Sequence, residues 1–177
     1  MTSLDDDHSA GVSPKPGGSG EFLVAIHDHL RHELATLREA GQALAAGQIP
    51  LDQVRADLHE SQLRRTFAQF GSFCAMYCRF VHGHHSIEDA HMFPTLVAAD
   101  PSLQPVIDRL SVDHVHIGGL LRALDDALLA NGPGAGTDED VQQVTDALET
   151  LAVALLDHLR VEERELVPAL DRLGLVI

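Results

Sequence analysis

The residues best suited to chemistry in this sequence are histidines and glutamates at matched positions. Histidine is unusually frequent, with 12 residues, as many as lysine and arginine together. Two segments share the pattern His-x-x-x-Glu, one from His84 to Glu88 and one from His158 to Glu162. In both, a proline follows six residues after the glutamate. Because residues four apart lie on one face of a helix, each pair would present an imidazole beside a carboxylate.

A further histidine precedes each of these segments on an apolar helical face. His27 and His114 are followed by apolar residues at the same offsets: Leu30, Leu34 and Leu37 after the first, Ile117, Leu121 and Leu124 after the second. The sequence therefore predicts two helix hairpins in tandem. Each supplies one histidine from its first helix and a His-x-x-x-Glu from its second.

Four segments with helical spacing of apolar residues provide these positions. The first begins near Glu21, the second runs from about Ser61 to Leu96, the third begins near Leu103, and Thr137 caps the fourth. No segment predicts a strand. Long helices with short connections predict an all-α, up-down-up-down four-helix bundle over residues 21–177. Residues 1–20 are rich in Asp, Gly and Pro and predict a disordered tail.

Composition excludes several classes of function. The net charge of −15 disfavours binding to nucleic acid or to a membrane surface. No apolar run approaches the ~20 residues of a membrane span, and no secretion signal is present at the N-terminus. The two cysteines, Cys74 and Cys78, cannot form a disulfide scaffold, so we expect a cytoplasmic protein.

The glutamates of the two patterns carry the functional argument. Glu88 and Glu162 fall at the centres of apolar helix faces, where a carboxylate is costly unless it is paired or bound to metal. Two converging carboxylates would also repel each other, which argues against a metal-free structural bundle. A pair of metal ions satisfies both glutamates and the four histidines. A mixed imidazole and carboxylate set favours iron or manganese over a metal that prefers thiolate.

As a set, these residues resemble the hemerythrin-like family, also called the HHE cation-binding domain, over about residues 21–171. The resemblance implies two non-haem iron ions bridged by oxo or hydroxo and carboxylate groups, with manganese or zinc less expected. The implied ligands are His27 and His84 on one iron, His114 and His158 on the other, and Glu88 and Glu162 as bridges.

The sequence departs from the family at one ligand. Hemerythrins carry His-x-x-x-His in the third helix, whereas Gly118 stands four residues after His114 here. The expected substitute is His85, since other family members use the residue after the second-helix histidine. If His85 serves, the site has five histidines and two glutamates. If it does not, the second iron is more open, which favours reactive chemistry over reversible oxygen carriage.

Two further residues are candidates for the surroundings of the ligands. Tyr77 lies two turns before His84 on the same face and is expected to be a core aromatic residue with a satisfied hydroxyl, the alternative being a place beside the ligands or a phenolate contact to an iron. His91 lies three residues after Glu88 and is expected beside the ligands or at the rim of the site rather than on the metal. The other histidines are expected on the surface or in the tail: His8, His29, His32, His59, His82 and His116.

Each ligand histidine is also expected to have an acceptor on a neighbouring helix, which the sequence does not identify. Asp113 adjoins His114, but neighbouring residues on a helix point about 100° apart, so it is a poor partner for that histidine. Asp89 and Glu163 fall about 90° from the centres of their apolar faces and are expected to form surface pairs.

An open di-iron site predicts a reaction with a small oxidant, namely hydrogen peroxide, O2 or NO. We favour a peroxidase-like or catalase-like reaction. The alternative is reversible oxygen binding, or sensing of oxygen or iron, without turnover.

Overall fold

The structure is a computed structural model, and it describes residues 18–46, 76–130 and 138–175. Helix α1 spans Ser19–Ala45, α3 spans Gln104–Ala130 and α4 spans Asp138–Leu173. Helix α2 is described over residues 76–99 and joins α3 through a 3-10 turn at Pro101–Leu103. These residues contain no strand, as predicted. Most of the predicted tail, the start of the second helix and Thr137 lie outside the described residues.

The helices run antiparallel in sequence order. Tyr77 of α2 donates a hydrogen bond to the Leu30 carbonyl at 3.2 Å, whereas His84, farther along α2, contacts the earlier residue His27. Near the other end of α1, Arg38 pairs with Glu149 in the first half of α4 at 2.7 Å. Helices α3 and α4 are also antiparallel, because the C-terminal half of α3 shares one apolar cluster with the N-terminal half of α4, and the opposite halves share the other. The predicted up-down-up-down bundle is therefore confirmed.

Two apolar clusters fill the interior and leave a polar layer between them. One cluster includes Leu30, Leu34 and Tyr77 and extends to the C-terminal half of α3 and the N-terminal half of α4. The other includes Leu23 and Phe93 and lies at the opposite end of the bundle. Burying one such leucine stabilises the fold by about 1.5–3 kcal/mol. Among the described helices, none has the length and apolar character that a membrane span requires.

Helix α2 contains one π-helical turn, Glu88–Met92, between α-helical parts at 76–87 and Phe93–Ala99. In this turn the Phe93 N–H donates to the Glu88 carbonyl, five residues back. Pro94, which follows, has no N–H to donate. Because the wider turn advances each residue through a smaller angle, Met92 comes onto the buried face and His91 is left on the surface.

Candidate metal centre

Seven histidine and glutamate side chains are buried in the layer between the two apolar clusters. All four helices contribute, and none of the seven is more than 9% exposed. They are the seven residues predicted as ligands: His27, His84, His85, Glu88, His114, His158 and Glu162. The apolar faces that predicted each helix therefore bring these side chains to one level of the bundle.

The two hairpins place their histidines in matching contacts. In the first hairpin, the Nε2 atoms of His27 and His84 are 3.1 Å apart. In the second, the Nε2 atoms of His114 and His158 are 3.2 Å apart. The sequence repeat is thus reproduced as an approximate twofold symmetry of the site, with the same ring nitrogen of each histidine facing inward.

Each glutamate lies between the histidines of both hairpins. Glu88 Oε1 is 3.1 Å from His84 Nε2, and Glu88 Oε2 is 3.5 Å from His114 Nε2. Glu162 Oε2 is 3.4 Å from His158 Nε2 and 3.5 Å from His27 Nε2. A carboxylate in this place can bridge two metal ions.

The ligand atoms fall into two sets, each compact enough for one ion. One set is His85, His114 and His158, and the other is His27, His84, Glu88 and Glu162. Within each set, one ligand atom of every residue lies within 4.8 Å of those of the others. This arrangement suits two cations, with one or both carboxylates shared between them.

The hydrogen bonding of the layer also fits metal ligands. Both carboxylate oxygens of Glu88 and of Glu162 are buried without a hydrogen-bond partner among the described residues, as is His85 Nε2. Buried polar atoms in folded proteins nearly always have a partner. The sixth such atom is His158 Nδ1, on the opposite side of that ring from the nitrogen that faces Glu162. Six unpartnered atoms in one layer, five of them on glutamates or on His85, are what a site built for cations leaves behind.

Burial sets the protonation of the layer. It lowers the pKa of His84 to about 4, with a further contribution from the charge of His27. Burial, followed by the charge of Glu162, raises the pKa of Glu88 far above its usual range. Burial acts in the same direction on Glu162, but the interactions with His158 and His27 outweigh it and lower the pKa. Burial also lowers the pKa of His27, His85 and His114, so these three and His84 are held in the neutral form that binds metal.

This protonation predicts that the metal-free protein loses stability in acid. Between pH 6.5 and about 4 the unfolded chain binds a proton at His84 that the folded chain does not, so stability falls as the pH falls. A shift of this size corresponds to roughly 3 kcal/mol. The raised pKa of Glu88 acts in the opposite direction, but it opposes four histidines with lowered pKa values: His27, His84, His85 and His114.

Urea unfolding of the metal-free protein from pH 6.5 to pH 4 measures this effect. His84→Gln should flatten part of the decline, whereas His82→Gln, at an exposed position on the same helix, should not. A free energy of unfolding that stays constant over this range would contradict the prediction.

Two acidic residues expected to form surface pairs also hold ligand histidines. Glu163 Oε1 is 2.9 Å from His27 Nδ1, and Asp89 Oδ1 is 2.9 Å from His114 Nδ1. Glu163 does pair with Arg31 near the surface, and Asp89 is exposed. The contacts with the histidines were not predicted, because only the adjacent helix decides what an acid about 90° from the apolar face can reach. The sequence did carry a signal, since an acid follows the glutamate in both repeats.

Asp113 also approaches the layer from a neighbouring helix. Its Oδ2 lies 3.9 Å from His158 Nδ1, too far for a direct hydrogen bond. As predicted, Asp113 does not pair with His114, its neighbour in the sequence.

His85 breaks the twofold symmetry of the layer. The second hairpin has Leu159 at the equivalent position. The His85 ring stacks on His114 with centroids 4.0 Å apart, and burial followed by the charge of His114 lowers the pKa of His85. At Gly118, where the family has its histidine, an added Cβ would meet only the Arg122 side chain, at 3.8 Å.

Neither of the two further candidates, Tyr77 and His91, lies beside the ligands. The Tyr77 hydroxyl donates to the Leu30 carbonyl, so Tyr77 is the core aromatic residue with a satisfied hydroxyl that was expected. His91 is exposed because the π-helical turn rotates it away from Glu88.

The other histidines follow the prediction where they are described. His29, His32, His82 and His116 are exposed, whereas His8 and His59 lie outside the described residues. Cys78 packs against the apolar cluster that contains Tyr77, and burial raises the pKa of its thiol to about 11. Cys74 lies outside the described residues.

A groove of about 720 Å³ runs along α3 and α4 and reaches the layer. Ile117, Val153 and Leu156 give it apolar walls, and Asp113 and His158 line it on the side of the metal centre. Its volume lies within the range of small-molecule sites in proteins. The groove is therefore a route from solvent toward one side of the layer.

A four-helix bundle with a buried histidine and glutamate layer defines a metal-binding helical domain. The chain belongs to the hemerythrin family: the model of the hemerythrin HHE cation binding domain matches residues 20–170. Comparison with curated proteins and with solved structures gave no match. Family membership confirms the resemblance drawn from the sequence and, with the clustered ligands, supports binding of metal cations.

Proposed function

We propose that this protein is a non-haem di-iron protein that reduces hydrogen peroxide in a peroxidase-like or catalase-like reaction. The observation that carries the proposal is the placement of Glu88 and Glu162. Each lies against histidines of both hairpins, and none of the four oxygens has a hydrogen-bond partner among the described residues. Two bridged cations would satisfy all four oxygens. A donor set of imidazole and carboxylate favours iron, with manganese or zinc less expected.

The protein's part in the reaction is to hold the metal ions, to orient their ligands and to exclude bulk water. An iron pair bound here would supply two electrons and a place for a small oxidant. His27 and His84 would hold one ion, and His85, His114 and His158 the other, while the glutamates lie between them. The apolar clusters on both sides keep bulk water from the layer.

The groove along α3 and α4 supports turnover. Repeated reduction of peroxide needs a reductant, and a groove with the volume of a small-molecule site has His158 of the layer in its lining. Cys78 packs in an apolar cluster outside the layer, so we assign no electrons to its thiol.

Peroxide stoichiometry tests the proposal. Iron-loaded protein is given hydrogen peroxide with and without ascorbate. A catalase-like reaction releases one O2 for every two peroxides without ascorbate. A peroxidase-like reaction releases none and oxidises one ascorbate per peroxide, with two electrons and two protons giving two waters. His158→Ala should abolish turnover and His82→Ala should retain it. Iron-loaded protein that consumes no peroxide under either condition would contradict the proposal.

The alternative function is reversible oxygen binding, or sensing without turnover. The stacking of His85 on His114, with an unpartnered Nε2, favours it because His85 would complete a set of five histidines and two glutamates. An absorption band that appears with O2 and disappears when O2 is removed, in protein that does not consume peroxide, would support this alternative.

A further inference from the structure

We propose that Asp89 and Glu163 are positioning residues for the two metal positions and that Arg31 makes these positions unequal by weakening the hold of Glu163 on His27. The inference rests on the proposed two-metal centre and adds that three further side chains set the affinity of its two positions for metal. It concerns three side chains outside the ligand set, none of which is required to touch a metal ion.

The positioning role follows from which nitrogen each acid holds. Glu163 and Asp89 lie 2.9 Å from Nδ1 of His27 and His114, and this leaves both Nε2 atoms facing the glutamates. A carboxylate that accepts from Nδ1–H fixes the ring orientation and makes the opposite nitrogen a better donor to metal. The two contacts are equal in length, so a difference in how strongly the two acids act on their histidines must come from what else the acids touch.

Arg31 supplies that inequality. Its Nη1 lies 2.8 Å from Glu163 Oε1, the same oxygen that His27 Nδ1 contacts. An oxygen shared with a guanidinium donates less charge to the imidazole, and the charge of Arg31 contributes to lowering the pKa of His27, behind burial as the main cause. Among the described residues, the one ion-pair partner recorded for Asp89 is His114.

The sequence repeat shows where the difference arises. Arg31 stands four residues after His27, and the matching position four residues after His114 is Gly118. The first helix of one hairpin therefore has a cation at the place where the other has no side chain. The position that lacks the family's histidine is also the position that leaves Asp89 free to act on His114 alone.

Titration of the full-length, metal-free protein with Co²⁺ under anaerobic conditions tests the inference, with calorimetry for affinity and visible absorption for coordination. We expect two binding steps in the wild type. Asp89→Asn should weaken the tighter step by about 10- to 100-fold, and Glu163→Gln should weaken the other by a smaller factor. Arg31→Gln should strengthen the weaker step, by up to about 10-fold, because it releases Glu163 to His27.

A double variant shows whether Arg31 acts on metal affinity through Glu163 or only supports the structure. In the Glu163→Gln background, Arg31→Gln should have no further effect, since the two residues act through one contact. Gly118→Arg should weaken the tighter step, because a guanidinium at the position that matches Arg31 would share Asp89 with His114. A Cβ at Gly118 meets only the end of Arg122, so there is room for the side chain. If Arg31→Gln instead weakens binding, Arg31 is only a structural support and the inference is overturned. A wild-type protein that binds no Co²⁺ would overturn the metal centre itself, and circular dichroism checks that each variant is folded.

Discussion

Glu88→Met is expected to remove two-metal binding and, at the same time, to stabilise the metal-free protein. The two effects have opposite signs for one physical reason. The Glu88 carboxylate is 3% exposed, has no hydrogen-bond partner among the described residues, and has a pKa raised by burial and by Glu162. It therefore costs stability in the absence of a cation and becomes a ligand in its presence. Methionine keeps an unbranched side chain that fits an apolar surrounding.

The expected gain is about 1–3 kcal/mol, the usual cost of a buried polar group that has no hydrogen-bond partner. For a chain of this length that corresponds to a rise in Tm of roughly 2–12 °C. Metal analysis should show two ions per chain in the wild type and a clear loss in the variant. Thermal unfolding of chelator-treated protein measures the stability.

Two other variants make the result specific. Glu162→Met should also lose metal but should destabilise the metal-free protein, because contacts with His158 and His27 lower the pKa of Glu162 and so favour its charged form when folded. Glu39→Gln, at an exposed position of α1, should change neither quantity. If Glu88→Met keeps both ions, or destabilises the metal-free protein as Glu162→Met does, the assignment of Glu88 as a bridge is wrong.

The same physical reason explains why so much of the site could be predicted from the sequence. A charged or polar residue at the centre of an apolar helix face stands out within its own helix, without knowledge of its neighbours. Six of the seven buried residues were found in this way, whereas His85 was predicted from the resemblance, as a substitute for the histidine missing at Gly118. The bundle was found in the same way as the six, since the apolar faces that mark the helices also decide how they pack. The repeat then paired the residues across the two hairpins.

What escaped prediction depends on the distance between helices. Asp89 and Glu163 lie off the apolar faces, and only the position of the facing helix decides whether such an acid reaches solvent or a histidine. His91 was misplaced because the angle between residues was taken from an ideal α-helix, and the π-helical turn before Pro94 changes that angle. The first error arises because the sequence of one helix does not give the position of the facing helix. The second arises because it does not reveal a local departure from α-helical geometry.

His85→Leu is expected to weaken the second metal position by more than about 100-fold, because loss of residues that merely support a ligand already costs 10- to 100-fold. Leucine is the residue at the matching place in the other hairpin, Leu159, which is fully buried, so the substitution suits an apolar helix face. The metal-free variant should remain folded. Its iron content should fall from two ions per chain toward one, because the set formed by His85, His114 and His158 loses a histidine.

Adding Gly118→His to His85→Leu tests whether the chain has exchanged one ligand position for another. Gly118 lies one helical turn from His114, and a Cβ there meets nothing closer than the Arg122 side chain at 3.8 Å, so α3 has room for the family's histidine. We expect the double variant to regain the second ion, measured by metal analysis and by Fe²⁺ titration. His116→Leu, at an exposed position on the same helix, is the matched control and should retain both ions. Full iron content in His85→Leu alone would show that His85 is not a ligand, and the second ion would then be held by His114, His158 and the bridging carboxylates, with an open position for the oxidant.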